Sequence, residues 1–166
     1  MIFIRPALLE DAKDICNMRW DESTRLYLND ARMFSIEQCK EWLTNLPPSS
    51  ERWCAQNDGF FAGLIRIDEI DEINNTCAVG LDLTPSVRGR GLSKLIYQKA
   101  LQDLFNNRNM NCVWLHVLTT NTIALNLYRG LGFKEEGVLR KRVYRGGRYI
   151  NCISMSLLKE EWQLAN

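Results

Sequence analysis

Residues Leu81-Asp82-Leu83-Thr84-Pro85-Ser86-Val87-Arg88-Gly89-Arg90-Gly91-Leu92-Ser93-Lys94 limit what this chain can fold into more than any other stretch. An apolar strand stops at Pro85, which has no N–H to give to a ladder. Two glycines follow, and a helix begins at once, with Leu92, Leu95, Ile96, Ala100, Leu101, Leu104 and Phe105 along one face. The free N–H groups of that first turn, with the positive end of the helix dipole, suit a phosphate or pyrophosphate. Arg88, Arg90 and Lys94 add positive field, while a glycine turn with solvated arginines accounts for the same residues without a ligand. There is no G-x-x-x-x-G-K-[ST], and Lys94 stands where the third glycine of G-x-G-x-x-G would be. Triphosphate and dinucleotide sites are therefore set aside.

The elements around this segment change character along the chain. Ile2 to Arg5 reads as a strand ended by Pro6, and Leu9, Ala12, Ile15 and Cys16 recur at helical spacing. Ser35 and Gln38 form a capping-box pattern ahead of a helix bearing Ile36, Cys39, Leu43 and Leu46, which Pro47 and Pro48 stop. Trp53 to Gln56 and Phe60 to Asp68 flank Asn57-Asp58-Gly59 as a hairpin, and Thr76 to Leu83 is a further strand. Alternation then takes over: helix Leu92 to Phe105, strand Cys112 to Leu118, helix Thr122 to Leu131, and two closing strands joined at Gly146-Gly147. Antiparallel strands followed by a βαβα section predict an α/β fold, a mixed, mostly antiparallel twisted sheet of about seven strands with helices on both faces. No linker interrupts the sequence, so one domain over residues 1–166 is expected.

Charge narrows the choice of partner. Lys and Arg number 21 against 20 Asp and Glu, a balance that gives no reason to expect nucleic acid. No apolar run approaches the roughly 18 residues of a membrane span, so a cytoplasmic protein with no membrane partner is expected. Cys16, Cys39, Cys54, Cys77, Cys112 and Cys152 are scattered, with no C-x-x-C pair and no histidine cluster, and read as reduced thiols with no metal.

Two segments carry a family resemblance. Arg88-Gly89-Arg90-Gly91-Leu92-Ser93 resembles the R/Q-x-x-G-x-G/A signature of the GCN5-related N-acetyltransferases, with Ser93 in place of Gly or Ala. Asn121-Thr122-Ile123-Ala124-Leu125-Asn126-Leu127-Tyr128-Arg129-Gly130-Leu131-Gly132-Phe133 resembles the N-x-x-A-x-x-L-Y-x-x-x-G-F segment of that family at every named position. Gly137 to Arg140, with Tyr149-Ile150-Asn151, resembles the branch of ribosomal-protein N-terminal and amino-sugar acetyltransferases, Asn151 replacing a common Asp.

The resemblance implies transfer of an acetyl group from acetyl-coenzyme A to a primary amine by direct attack. Amino sugars, nucleotide-linked amino sugars and protein or peptide amines are the acceptors considered, on a monomer or homodimer. It implies that the coenzyme is held by Leu81, Leu83, Arg88, Gly89, Arg90, Gly91, Leu92, Ser93, Asn121, Asn126 and Tyr128, and that Tyr128 acts as general acid on the leaving thiolate. A non-catalytic coenzyme-binding module is the competing reading. Glu69, Glu72 and Asp82 are the carboxylates near the key strand, and the sequence does not decide among them as base. His116, alternating with Leu115 and Val117, reads as structural. The basic residues Arg140, Lys141, Arg142, Arg145 and Arg148 read as a solvated hairpin surface or as a contact for an acidic acceptor.

Overall fold

A computed structural model describes residues 1–28 and 30–165. Among these residues seven strands form one sheet in the order β1-β2-β3-β4-β5-β7-β6. They are β1 (Ile2–Pro6), β2 (Glu51–Asn57), β3 (Phe60–Asp71), β4 (Thr76–Leu83), β5 (Cys112–Leu118), β6 (Lys134–Arg145) and β7 (Arg148–Leu158). All neighbours are antiparallel except β4 and β5. Asp58 and Gly59 turn the first hairpin at φ 51° and 85°, and Gly146 and Gly147 turn the last at 57° and 77°. These positive values are what two-residue hairpin turns require.

Among the described residues six α-helices accompany the sheet: α1 (Ala12–Trp20), α2 (Glu22–Arg25), α3 (Ile36–Thr44), α4 (Leu92–Gln102), α5 (Thr122–Gly130) and α6 (Lys159–Ala165). The Ser35–Gln38 capping box starts α3, each side chain bonding the other's backbone N–H at 3.1 and 2.9 Å. Asp21 starts α2 by accepting from the Thr24 N–H at 3.0 Å. The expected helix from Leu92 to Phe105 is α4 followed by a π-helical turn over Asp103–Asn107. Sequence patterning does not announce α2 or α6: four and seven residues are too few to show an apolar period.

The main core lies between the sheet and α4 and α5, joining Ile65, Val79, Ile96, Leu101, Val113, Leu115 and Met155 among others. A second core, Ile15, Cys16, Met18, Cys39 and Leu64, lies under α1 and α3 on the opposite face. Ile15, Cys16 and Cys39 are buried as expected, but Leu95 is 49% and Ile123 80% exposed. Helical spacing in the α5 segment predicts a buried line through Ile123, Ala124, Leu127 and Leu131; Leu131 is buried, Ala124 and Leu127 pack partly against the core, and Leu125 and Tyr128 take the fully buried positions in place of Ile123. All six cysteines are free thiols, five of them buried.

Candidate active site

β4 and β5 pair only where Thr76, Cys77 and Ala78 face Cys112, Val113 and Trp114. Beyond Ala78 the two strands part: β4 stays bonded to β3 as far as Leu83, and β5 stays bonded to β7 as far as Leu118. A cleft of about 500 Å³ opens between them, bounded by Leu81 and Leu83 on one side and Leu115 and Val117 on the other. The β5-facing edge of β4 from Val79 onward has no strand partner, so its peptide groups face the cleft as donors and acceptors.

At one end of the cleft lies the turn into α4. Gly89 and Gly91 hold φ of 70° and 72°, and Gly91 is the residue from which α4 starts. Among the described residues the N–H groups of Gly89, Arg90 and Gly91 meet no acceptor, no side chain caps the helix, and its first turn carries no acidic residue. That leaves an uncompensated positive pole. Arg88 is turned away from it. Its guanidinium donates to the Leu83 carbonyl at 2.8 and 3.1 Å, to Ser23 Oγ at 2.7 Å and to Thr24 Oγ1, tying the end of β4 to α2.

Tyr128 of α5 is 8% exposed and forms part of the cleft wall. Behind it stands Tyr97 of α4, 1% exposed, whose hydroxyl donates to Tyr128 Oη at 3.1 Å with the rings edge-on at 5.4 Å. Burial pushes the Tyr128 phenol above the ordinary tyrosine range, and the hydrogen bond received from Tyr97 works against that rise. Asn121 caps α5, its Oδ1 accepting from the Ala124 N–H at 3.2 Å, and also lines the cleft.

The opposite face of the opening is polar. Leu115 and Val117 pack into the same core as Tyr128, so His116, between them on β5, projects from the other face. His116 lines the cleft there, its ring 4.9 Å from that of Trp114. Burial holds its pKa below the ordinary 6.5, the Arg142 charge lowers it further, and Glu69 opposes both. Glu69 sits in the bulge of β3 at φ 51° and lines the cleft with Tyr27 and Leu28. Asp68 is taken up by Arg52 and Ser50, both at 2.8 Å, and Asp82 by Arg66 at 3.0 Å. Glu72 is exposed in the β3–β4 turn, outside the cleft.

The basic run divides. Arg140, Lys141 and Arg142 form a bulge of β6 between Leu139 and Val143, where Lys141 takes φ 50° and its N–H donates to Asn151 Oδ1 at 2.8 Å. Asn151 thus shapes the bulge. Arg145 donates to the Leu28 carbonyl, joining the hairpin to the loop after α2, and Arg148 is exposed.

The sequence pattern of the acetyltransferase (GNAT) family matches residues 12–133. The chain belongs to that family. It is an acetyl-coenzyme A-dependent N-acetyltransferase. An uncharacterized N-acetyltransferase p20 from Bacillus licheniformis is 26% identical over 96% of this chain and 93% of its own length. Spermidine N(1)-acetyltransferase of Escherichia coli is 29% identical over 69% of this chain and 61% of its own length. The crystal structure of spermidine N-acetyltransferase from Vibrio cholerae, in complex with CoA and spermine, superposes with a TM-score of 0.92 at 23% identity, covering 98% of both chains. That likeness establishes the GNAT fold.

The residues present fit acetyl-coenzyme A. Its phosphates need N–H donors without acceptors, which Gly89 to Gly91 provide, and its extended arm needs an unpaired strand edge, which β4 provides beyond Ala78. Leu81, Leu83, Arg88, Gly89, Ser93, Asn121 and Tyr128 line the cleft. Arg90, Gly91 and Leu92 form the turn at its rim without lining it. Asn126 is on the exposed side of α5, its Oδ1 accepting from Arg129, because two residues from Tyr128 is roughly 200° around a helix.

Sequence reasoning overlooked Tyr97, Arg66, Gly80 and the Ser23–Thr24 pair. One signal was available for the first: a tyrosine inside the apolar stripe of α4 carries a hydroxyl that a core must satisfy. No metal-capable group of three His, Cys, Asp or Glu occurs among the described residues, and no helix there is long and apolar enough to cross a membrane.

Proposed function

We propose that the acceptor is a small primary amine entering beside Tyr27, Leu28, Glu69 and His116, and that His116 and Tyr128 handle the two protons of the transfer. The observation that carries this reading is the placement of the two side chains on opposite faces of one opening between β4 and β5. Bound acetyl-coenzyme A supplies an acetyl thioester, and unpaired β4 peptide N–H groups bond its carbonyl oxygen. His116 takes the proton from the attacking nitrogen. Its low pKa keeps the imidazole neutral at pH 7 and so able to accept, and Glu69 steadies the imidazolium. Tyr128 Oη gives its proton to the departing sulfur.

Charge supports a particular kind of acceptor. Among the described cleft residues Glu69 is the one carboxylate without an ion-pair partner, and the Arg142 charge reaches His116. One free carboxylate suits a single ammonium group with a neutral or anionic remote end better than the polyamine named for two of the relatives. The test is thiol release from acetyl-coenzyme A with a panel of amino sugars, nucleotide-linked amino sugars, short peptides and spermidine. The expected outcome is turnover of a monoamine in preference to spermidine. Spermidine as the fastest acceptor would overturn the acceptor class, and coenzyme binding with no thiol release across the panel would favour a binding module.

A further inference from the structure

We propose that Tyr97 is a positioning residue for the transfer, its hydroxyl fixing the direction in which Tyr128 presents its proton. This rests on the reading of Tyr128 as the proton donor. A phenol has one proton to give and can accept at oxygen. Tyr97 is 1% exposed, packed in the main core with the Arg66–Asp82 ion pair close enough for its two opposed charges to act on both phenols, and among the described residues its hydroxyl has Tyr128 as its one hydrogen-bond partner. Were Tyr128 to donate to Tyr97, the Tyr97 proton would be buried without an acceptor, and the Tyr128 proton would point away from the cleft. Donation from Tyr97 satisfies the buried group and leaves the Tyr128 O–H aimed into the opening. Phenylalanine at position 97 would keep the ring and its edge-on contact, so the core has no need of the hydroxyl.

The arrangement also serves the step itself. As the Tyr128 O–H bond breaks and the S–H bond forms, negative charge develops on Tyr128 Oη, and the Tyr97 O–H is already bonded to that atom. Hydrogen bonds to charged oxygen are stronger than those to neutral oxygen, so the contact gains strength along the reaction. Tyr128 regains its proton from solvent through the cleft. The same bond holds the Tyr128 phenol below where burial alone would put it.

A double-mutant cycle tests this, with kcat, the KM for acetyl-coenzyme A and Tm measured for Tyr97→Phe, Tyr128→Phe and the double variant. Tyr97→Phe is expected to lower kcat roughly five- to tenfold, the effect of one hydrogen bond, with the coenzyme KM within about twofold of wild type. It should move the alkaline limb of the kcat profile to higher pH, and cost nothing further in the Tyr128→Phe background. Equal losses in both backgrounds would mark a packing defect, and kcat within about twofold of wild type would show no positioning. Either result overturns the inference. If Tyr128→Phe itself leaves kcat unchanged, the proton-donor reading falls and this inference with it. If Tyr128→Phe is impaired and Tyr97→Phe is not, only the inference fails.

Discussion

Arg66 lies across Gly80 on the neighbouring strand, its Nη2 2.7 Å from where a β-carbon on Gly80 would stand. From there the guanidinium reaches Asp82, which is 8% exposed, at 3.0 and 3.3 Å. Gly80→Ala should push the guanidinium aside and loosen a charge pair whose acidic member has little water to fall back on. The expected cost is about 1–2 kcal/mol, a Tm lower by roughly 2–8 °C for a chain of this size. Thermal melting of the variant checks it; an unchanged Tm would mean that Arg66 moves freely without losing Asp82.

Arg88 stands in the segment that resembles a phosphate signature, yet its hydrogen bonds go to Leu83, Ser23 and Thr24. Arg88→Met should therefore destabilise by about 1–3 kcal/mol, as expected for lost bonds to a charged group. It should also free the segment that carries Tyr27 and Leu28. Hydrogen exchange should accelerate across Ser23–Leu28, and acceptor KM should rise more than coenzyme Kd. A variant that loses mainly coenzyme affinity would return Arg88 to a phosphate-binding role.

Gly91 keeps φ at 72°, and a β-carbon there would meet nothing within 4 Å, so strain rather than collision governs substitution. Gly91→Val should cost about 1–2 kcal/mol of backbone strain and turn the Gly89–Gly91 N–H groups out of line. Coenzyme affinity, by calorimetry, should fall about tenfold or more, one kcal-scale hydrogen bond being worth close to that factor. Unchanged affinity in a folded variant would place the phosphates elsewhere.

The pH dependence of kcat should carry an acid limb below 6.5, because burial and Arg142 hold His116 under its ordinary value and its protonated form cannot accept a proton. Arg142→Gln removes a charge that lowers the pKa, so the limb should move to higher pH. Glu69→Gln removes one that raises it, so the limb should move lower. Opposite shifts from two substitutions on either side of one imidazole are hard to imitate. If neither moves the limb, the titrating group is not His116.

The parts of the molecule legible in the sequence are those determined by neighbours along the chain. Pro85 with Gly89 and Gly91, the Ser35–Gln38 box and the Gly146–Gly147 turn each encode a backbone geometry locally, and each was found. Asn121 and Tyr128 were legible together because the segment from Asn121 to Phe133 resembles the family's N-x-x-A-x-x-L-Y-x-x-x-G-F pattern at every named position. What escaped was the choice of partner across the fold. Arg88 bonds residues 64 and 65 positions away, and Tyr97 needs a residue 31 positions later to explain its hydroxyl. Ile123 misled for a related reason: it lines the cleft and is 80% exposed, so its apolar character marks the cleft wall rather than the core.

The three-pair junction between β4 and β5 gives the sheet the character of a partly fastened seam. On the helical side Val79 and Val113 meet in one core that spans the junction, whereas past Ala78 the two strands pair only with their outer neighbours, β3 and β7. A pantetheine arm lying in that gap would act as a missing strand. Coenzyme held there would couple occupancy to the stability of that seam, adding RT ln(1 + [L]/Kd) to the folded state.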